Sequence, residues 1–184
     1  MRQIIPRTVD RFCWDRPDWS SDGKRIVLAS AGDLWTVPSK GGRPHRLTRT
    51  RGSETSPRWA PDHRSIGFLT RAGIWLLRPN GSRSLLVRGG SSFAWSHDGR
   101  TLAYGSYNAL TDQTDLYLRS GDAPPRRLYE GIDGGPTWSP DNRLLAFVHS
   151  DTDPHGTSSL VVVDLAGNET DLGDEAAGQP DWRP

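Results

Sequence analysis

The chain has few of the residues that would mark a familiar class of protein. It contains a single cysteine, Cys13, so no disulfide can form within it. A lone cysteine beside Phe12 and Trp14 is more typical of a small buried apolar residue than of a nucleophile. No apolar stretch approaches the roughly 20 residues that a membrane helix needs, and residues 1–7 lack the apolar core of a secretory signal. We therefore expect no membrane insertion and a cytoplasmic location, or a periplasmic or extracellular one if a leader precedes this sequence.

The chain as a whole has no large excess of positive or negative charge. The 23 basic and 22 acidic residues give a formal net charge of +1, and such a balance does not favour nucleic acid as a partner. The sequence also lacks a Gly-x-Ser-x-Gly nucleophile elbow and a phosphate-binding Gly-Lys-Ser/Thr loop. We therefore predict a non-enzymatic protein with no catalytic residue, no metal and no cofactor.

What the chain does have is a repeat anchored on tryptophan. Its copies read Trp19-Ser-Ser-Asp-Gly, Trp59-Ala-Pro-Asp-His, Trp95-Ser-His-Asp-Gly and Trp138-Ser-Pro-Asp-Asn, and Trp182 opens a further copy. The tryptophans are 40, 36, 43 and 44 residues apart. A period of this length indicates a propeller or a solenoid.

Each period divides into four short runs that read as strands. In the second copy the runs are 56–59, 65–69, 73–77 and 84–87, and Gly, Pro, Asn or Asp clusters separate them. The 20 glycines and 14 prolines of the chain suit many short strands joined by tight turns. Runs bounded in this way predict an antiparallel meander.

The recurring tryptophan and aspartate have a structural interpretation. A tryptophan at the same place in every sheet can bury its ring between neighbouring sheets, and an aspartate in the turn can accept a hydrogen bond from the backbone N–H two residues on. We therefore predict that these residues are scaffold anchors: Trp19, Trp59, Trp95, Trp138, Trp182, Asp22, Asp62, Asp98 and Asp141.

The pattern resembles the TolB-type, WD-repeat-like β-propeller repeat. The similarity rests on Trp-Ser-Pro-Asp-Asn/Gly, an apolar strand, an Asp-Leu-Tyr/Trp strand and an Arg-Arg-Leu strand, and it covers almost the whole chain. It implies an all-β fold of radial four-stranded blades around a channel. It also implies a protein-binding platform, because members of the family act mainly in that way.

We predict one domain over 1–184 with four blades, at about 17–48, 56–88, 92–129 and 135–173, and with terminal strands at 4–10 and 179–183. TolB-type rings usually have six or more blades, so three interpretations stay open. The chain is a piece of a longer propeller, or two copies form a homodimer that completes one ring, or the chain closes alone as a ring of four or five blades.

Loop lengths indicate where binding would occur. The turns between the first and second strands are short and uniform, whereas the loops on the other face of the blades vary in length. Irregular loops on a rigid scaffold commonly carry recognition. We therefore predict a binding face made of these residues: Tyr107, Asn108, Asp112, Glu130, Asp133, Asp151, Asp153 and His155.

The function predicted from these observations is a non-enzymatic interaction scaffold that binds a protein partner or a second copy of itself. Two alternatives remain open. One is a propeller that gates a hydrolase of the prolyl-oligopeptidase type. The other is a propeller that binds carbohydrate or metal, since Asp151, Asp153, His149 and His155 offer oxygen and imidazole ligands at close spacing.

Overall fold

The computed structural model describes residues 16–150, 158–171 and 182, apart from the side chains of Ser150 and Asp171. Sixteen strands in these ranges form four four-stranded antiparallel sheets, and the described residues contain no helix. No helix that is long and apolar enough to cross a bilayer therefore occurs among these residues. The predicted all-β fold with four four-stranded blades is confirmed. The predicted terminal strands at 4–10 and 179–183 lie outside the described residues, except for Trp182.

The strands of each sheet follow one another in the chain as a meander, and each sheet is one blade. Blades 1 and 2 consist of β1 (Asp18–Trp19), β2 (Arg25–Ser30), β3 (Asp33–Pro38), β4 (His45–Arg46), β5 (Thr55–Trp59), β6 (Ile66–Thr70), β7 (Gly73–Leu77) and β8 (Arg83–Arg88). Blades 3 and 4 consist of β9 (Gly90–Trp95), β10 (Thr101–Asn108), β11 (Gln113–Ser120), β12 (Arg126–Tyr129), β13 (Thr137–Trp138), β14 (Leu144–Ser150), β15 (Ser158–Asp164) and β16 (Glu169–Asp171).

The chain divides into two compact units, Met1–Gly89 and Gly90–Pro184. The N-terminal unit holds blades 1 and 2, and its core includes Val27, Leu34 and Phe68. The C-terminal unit holds blades 3 and 4, and its core includes Leu116 and Phe147. In each unit the core joins residues of two neighbouring sheets, because every sheet has an apolar face that must be covered.

The same type of turn joins the first and second strands in all four blades. In blade 4 the Asp141 carboxylate accepts the Ser139 hydroxyl at 2.6 Å and the Arg143 backbone N–H at 3.1 Å, and the Ser139 Oγ accepts the N–H of Leu144 at 2.9 Å. The fourth turn residue, Asn142, has a positive φ of 61°. The aspartates of the other three turns also accept the backbone N–H two residues on, as the sequence predicted.

Two of the repeat tryptophans, Trp138 and Trp182, point toward the blade that precedes them. Trp138 is 4% exposed, and its Nε1 donates to the carbonyl of Ala94 on β9 at 3.2 Å. Trp182 repeats this contact, since its Nε1 donates to the carbonyl of Thr137 on β13 at 3.3 Å. Each acceptor directly precedes the tryptophan of the preceding blade. The seam between blades 3 and 4 is therefore held by an indole and a backbone carbonyl.

The expectation that every repeat tryptophan is buried is wrong for Trp19, which is 55% exposed. The Asp18 carboxylate accepts the backbone N–H of Trp59 at 2.7 Å, so it points toward blade 2. Successive side chains of a strand point to opposite faces. Trp19 therefore projects from the face of blade 1 that is turned away from blade 2, the other sheet of its unit.

Candidate functional site

The hairpin of β10 and β11 is the longest in the described part of the chain, with eight residues in each strand. The strands stay paired up to Asn108 and Gln113. Two large apolar side chains are exposed at this end: Tyr107 is 58% exposed and Leu110 is 96% exposed. The hairpin therefore presents an aromatic and an aliphatic residue to solvent on a paired strand end.

Local hydrogen bonds fix the shape of the hairpin tip. The Asn108 side chain accepts the N–H of Leu110 at 3.0 Å, and Asp112 adopts a positive φ of 58°. The Tyr107 hydroxyl donates to Asp112 Oδ1 at 2.6 Å. This hydrogen bond, together with the charge of the carboxylate, raises the pKa of Tyr107. The tip therefore has a defined conformation in spite of its exposure.

A buried carboxylate ties the base of the hairpin to the loop that follows blade 3. Asp115 is fully buried and accepts the Asn108 amide at 2.9 Å and the Gly131 backbone N–H at 3.4 Å. The Arg127 guanidinium lies 3.4 Å from Asp115 and 3.3 Å from Glu130. The charge of Asp115 is thus neutralised within the blade, which makes it an anchor for the loop.

Blade 1 has the same arrangement, which supports this structural role. Asp33 stands at the start of β3, as Asp115 does near the start of β11, and its carboxylate pairs with Arg46. It also accepts the backbone N–H of Thr50 at 3.0 Å in the loop after β4. Two blades therefore use a buried aspartate and an arginine of the fourth strand to hold the loop toward the next blade.

The structure brings together several residues of the predicted binding face. Tyr107 contacts Asp112 directly, while Asn108 reaches Glu130 through Asp115 and Arg127. Asp133 is exposed in the same loop as Glu130, where its N–H donates to the carbonyl of Val148 at 2.9 Å. The remaining members of the predicted face, Asp151, Asp153 and His155, lie outside the described residues.

Leu110, Asp115 and Arg127 were missing from the predicted face. The sequence signal for Leu110 was its place in a polar turn, where a large aliphatic residue has no local structural use. Asp115 and Arg127 could have been found from Asp33 and Arg46, which occupy the corresponding third and fourth strands of blade 1.

The described residues near the hairpin do not form a metal site. No group of three or more histidine, cysteine, aspartate or glutamate side chains able to hold a metal occurs among the residues that the structure describes. The His149 ring is engaged through Nδ1 with the carbonyl of Gly131. The other residues of the suggested metal loop, Asp151, Asp153 and His155, lie in the part of the chain that is not described.

A cavity of about 310 Å³ lies on the opposite, short-turn side of the C-terminal unit, between blades 3 and 4. Asp98 and Asn142 line it, but both work in the turns: Asp98 Oδ1 accepts the Ser96 hydroxyl at 2.7 Å and Asn142 Oδ1 accepts the N–H of His97 at 2.6 Å. With these oxygens already engaged, the exposed hairpin is the better candidate for a functional site.

Comparison with known proteins yielded no matching family model. Two curated proteins show sequence similarity. The uncharacterized peptidase YuxL of Bacillus subtilis is 25% identical over 143 residues, which cover 71% of this chain and 21% of YuxL. The uncharacterized protein Atu1656 of Agrobacterium fabrum is 29% identical over 99% of this chain and 64% of its own length. The chain thus spans about a fifth of one relative and under two thirds of the other.

Solved structures define the class of fold. TolB from Acinetobacter baumannii superimposes with a TM-score of 0.73 at 17% identity, over 84% of this chain and 41% of TolB. A chain of the nidogen/laminin complex matches with a TM-score of 0.68 at 18% identity, over 85% and 63%. The β-propeller domain of the Trilobed protease from Pyrococcus furiosus matches at 0.59 and 14% identity, over 87% and 56%. The chain therefore has a β-propeller fold of the TolB type, and the predicted resemblance is confirmed at the level of the fold.

Proposed function

We propose that this protein is a non-enzymatic propeller that binds a protein partner through the β10–β11 hairpin. The observation that carries the proposal is the exposure of Tyr107 and Leu110 on a tip whose conformation Asn108 and Asp112 fix. Tyrosine is among the side chains that contribute most to the affinity of protein interfaces, and Leu110 adds apolar area that a partner can bury. A tip that is already ordered loses little conformational entropy on binding.

Acidic groups around the tip suggest the chemistry of the partner. Asp112, Glu130 and Asp133 are exposed beside the hairpin, whereas Arg127 is engaged by Asp115 and Glu130. A partner surface with an apolar pocket for Leu110 and basic residues at its rim would complement this arrangement. Acidic and basic rims of this kind mainly raise the association rate and the specificity.

The similar structures support a protein partner in general. One of them is a propeller solved within a nidogen/laminin complex, and its fold is shared by this chain. A propeller can place many different loops on the same scaffold, so the binding residues must come from this chain's own loops.

Site-specific cross-linking tests the proposal. A photoreactive amino acid at position 110 should give one cross-linked protein in the source cells, whereas the same group at Asn80, in the exposed β7–β8 turn, should not. With the captured protein purified, Tyr107→Ala and Leu110→Ala together should weaken binding at least about tenfold. Leu165→Ala, at an exposed apolar residue of another turn, should leave binding unchanged. Equal cross-linking at positions 110 and 80 would contradict the proposal.

A second candidate function is a propeller that selects substrates for a peptidase. The similarity to YuxL and to the propeller of the Trilobed protease favours it. In that case the protein captured at position 110 would react with a fluorophosphonate probe for serine hydrolases. The chain alone should not react with this probe under either candidate, and labelling of the purified chain would overturn the non-enzymatic assignment.

A further inference from the structure

The near-zero net charge of the chain conceals a strong separation of charge between its two units. Residues 1–89 contain 17 Lys and Arg against 7 Asp and Glu, a net charge of +10. Residues 90–184 contain 6 basic against 15 acidic residues, a net charge of −9. Charge asymmetry of this size between two halves of a chain favours association with oppositely charged surfaces.

The acidic groups that the structure describes in the N-terminal unit are largely engaged within it. Asp33 and Glu54 are buried, and they pair with Arg46 and with Arg83, the latter at 3.2 Å. Asp18 is held by the backbone N–H of Trp59, and burial raises its pKa. Arginines and lysines therefore dominate the exposed charged side chains of this unit over residues 16–89.

The C-terminal unit presents the opposite surface. Its exposed acidic residues outside the hairpin face include, in the described part of the chain, Asp98, Asp122, Asp141 and Glu169. The two units of one chain thus carry complementary surfaces, and a second copy of the chain offers both of them.

Trp19 supplies an apolar contact on the basic unit. It occupies the register position that Trp138 occupies in blade 4, since Trp19 pairs with Ile26 and Trp138 with Leu145. Trp138 is buried against the preceding blade through its indole N–H, whereas no hydrogen bond of the Trp19 indole occurs among the described residues. The Trp19 ring thus stands at the same position in its blade as the Trp138 ring, but its indole N–H has no acceptor among the described residues.

We propose that the Trp19 face of the N-terminal unit binds the acidic C-terminal unit of a second copy, with the indole N–H donating to a backbone carbonyl of a strand edge. Opposite charges of +10 and −9 select this occupant, and the indole contact repeats the one that joins blades 3 and 4. In a symmetric dimer the contact forms twice. This surface is distinct from the β10–β11 hairpin and does not depend on the function proposed for it.

Sedimentation velocity over a dilution series tests the proposal. At about 50 mM salt the chain, of 20.4 kDa, should form a species of twice that mass. Raising the salt to about 500 mM should increase the dissociation constant at least about tenfold, since exposed charges are then screened. A monomer at every concentration and salt would overturn the proposal, and so would a monomer that binds heparin without self-association.

Matched variants locate the contact. Trp19→Ala should raise the dissociation constant at least about tenfold, whereas Tyr107→Ala, which truncates an equally exposed aromatic residue, should leave it unchanged. Circular dichroism reports whether Trp19→Ala is folded. If it is not, the double charge reversal of the exposed Arg16→Glu and Lys24→Glu takes its place and should also weaken the dimer. A dimer that both variants leave intact would overturn the proposal.

Discussion

At the scale of single residues, the turn after each repeat tryptophan shows how one aspartate organises a hairpin. In blades 1, 3 and 4 a serine precedes the aspartate by two positions and donates to it. Blade 2 has Ala60 in that position, and Asp62 instead accepts the hydroxyl of Ser65 at 2.6 Å. The carboxylate therefore keeps a hydroxyl donor in all four blades, although the residue that supplies it changes.

These hydrogen bonds make the turns sensitive to acid. The Ser139 hydroxyl and the Arg143 N–H lower the pKa of Asp141, and corresponding donors lower the pKa of Asp22 and Asp98. Because the folded pKa lies below the unfolded one, the contribution to stability is present above the ordinary aspartate pKa and is lost as the pH falls through the lowered pKa. A carboxyl NMR titration should show Asp141 titrating below its ordinary value.

The matched variant for this titration is Ser139→Ala. It removes the hydroxyl that contributes most to the lowered pKa of Asp141, so the pKa should move back toward its ordinary value while the pKa of Asp98 stays low. Titration of Asp141 at the ordinary value in the unaltered protein would show that the turn hydrogen bonds do not persist in solution.

At the scale of the elements, the third strand of blade 2 departs from the pattern of blades 1 and 3. It begins with Gly73, where Asp33 begins β3, and Gly73 has a φ of +130°. A Cβ at this position would lie 2.1 Å from the carbonyl oxygen of Val87 on β8. Close approach of β7 and β8 thus requires glycine at this point.

Gly73→Ala should therefore destabilise the protein by more than about 2 kcal/mol, because it combines a backbone clash with an unfavourable φ. The control is Gly81→Ala in the β7–β8 turn, where φ is +81° and no atom lies within 4 Å of the added Cβ. This change should cost only about 1 kcal/mol. Urea unfolding of both variants measures the difference, and equal costs would contradict the close approach of the strands.

The same elements show how far the sequence alone leads. The tryptophan period and the glycine and proline clusters predict four meanders, and the predicted third run of the second copy, 73–77, coincides with β7. The hairpin tip was located through loop length, which is a local signal. The Asp115–Arg127 anchor repeats the Asp33–Arg46 pair of blade 1 and could have been found by aligning the blades. The exposure of Trp19 depends instead on contacts between sheets, and such contacts leave no periodic trace in the sequence.

At the scale of the whole molecule, the separation of charge has a consequence for ion exchange. A protein with a net charge of +1 binds weakly to any charged matrix if its basic and acidic residues are evenly mixed over its surface. Because this chain has a basic and an acidic unit, we expect retention on both a cation and an anion exchanger at pH 7 and low salt. Passage through both columns without retention would show that the charges are interspersed at the surface.

The charge reversal that tests the dimer also serves as the control for this experiment. Arg16→Glu and Lys24→Glu together lower the positive charge of the N-terminal unit and leave the acidic unit untouched. The variant should elute earlier from the cation exchanger and remain bound to the anion exchanger.

The indole contact between blades also bears on how such a chain can lengthen during evolution. The acceptors of Trp138 and Trp182 are the backbone carbonyls of Ala94 and Thr137, and every residue has such a carbonyl whatever its side chain. The contact therefore does not depend on the side chain of the neighbouring blade, although it is not made in every blade, since the buried Nε1 of Trp59 has no hydrogen-bond partner among the described residues. Independence from the neighbour's side chain suits a fold found with very different numbers of blades.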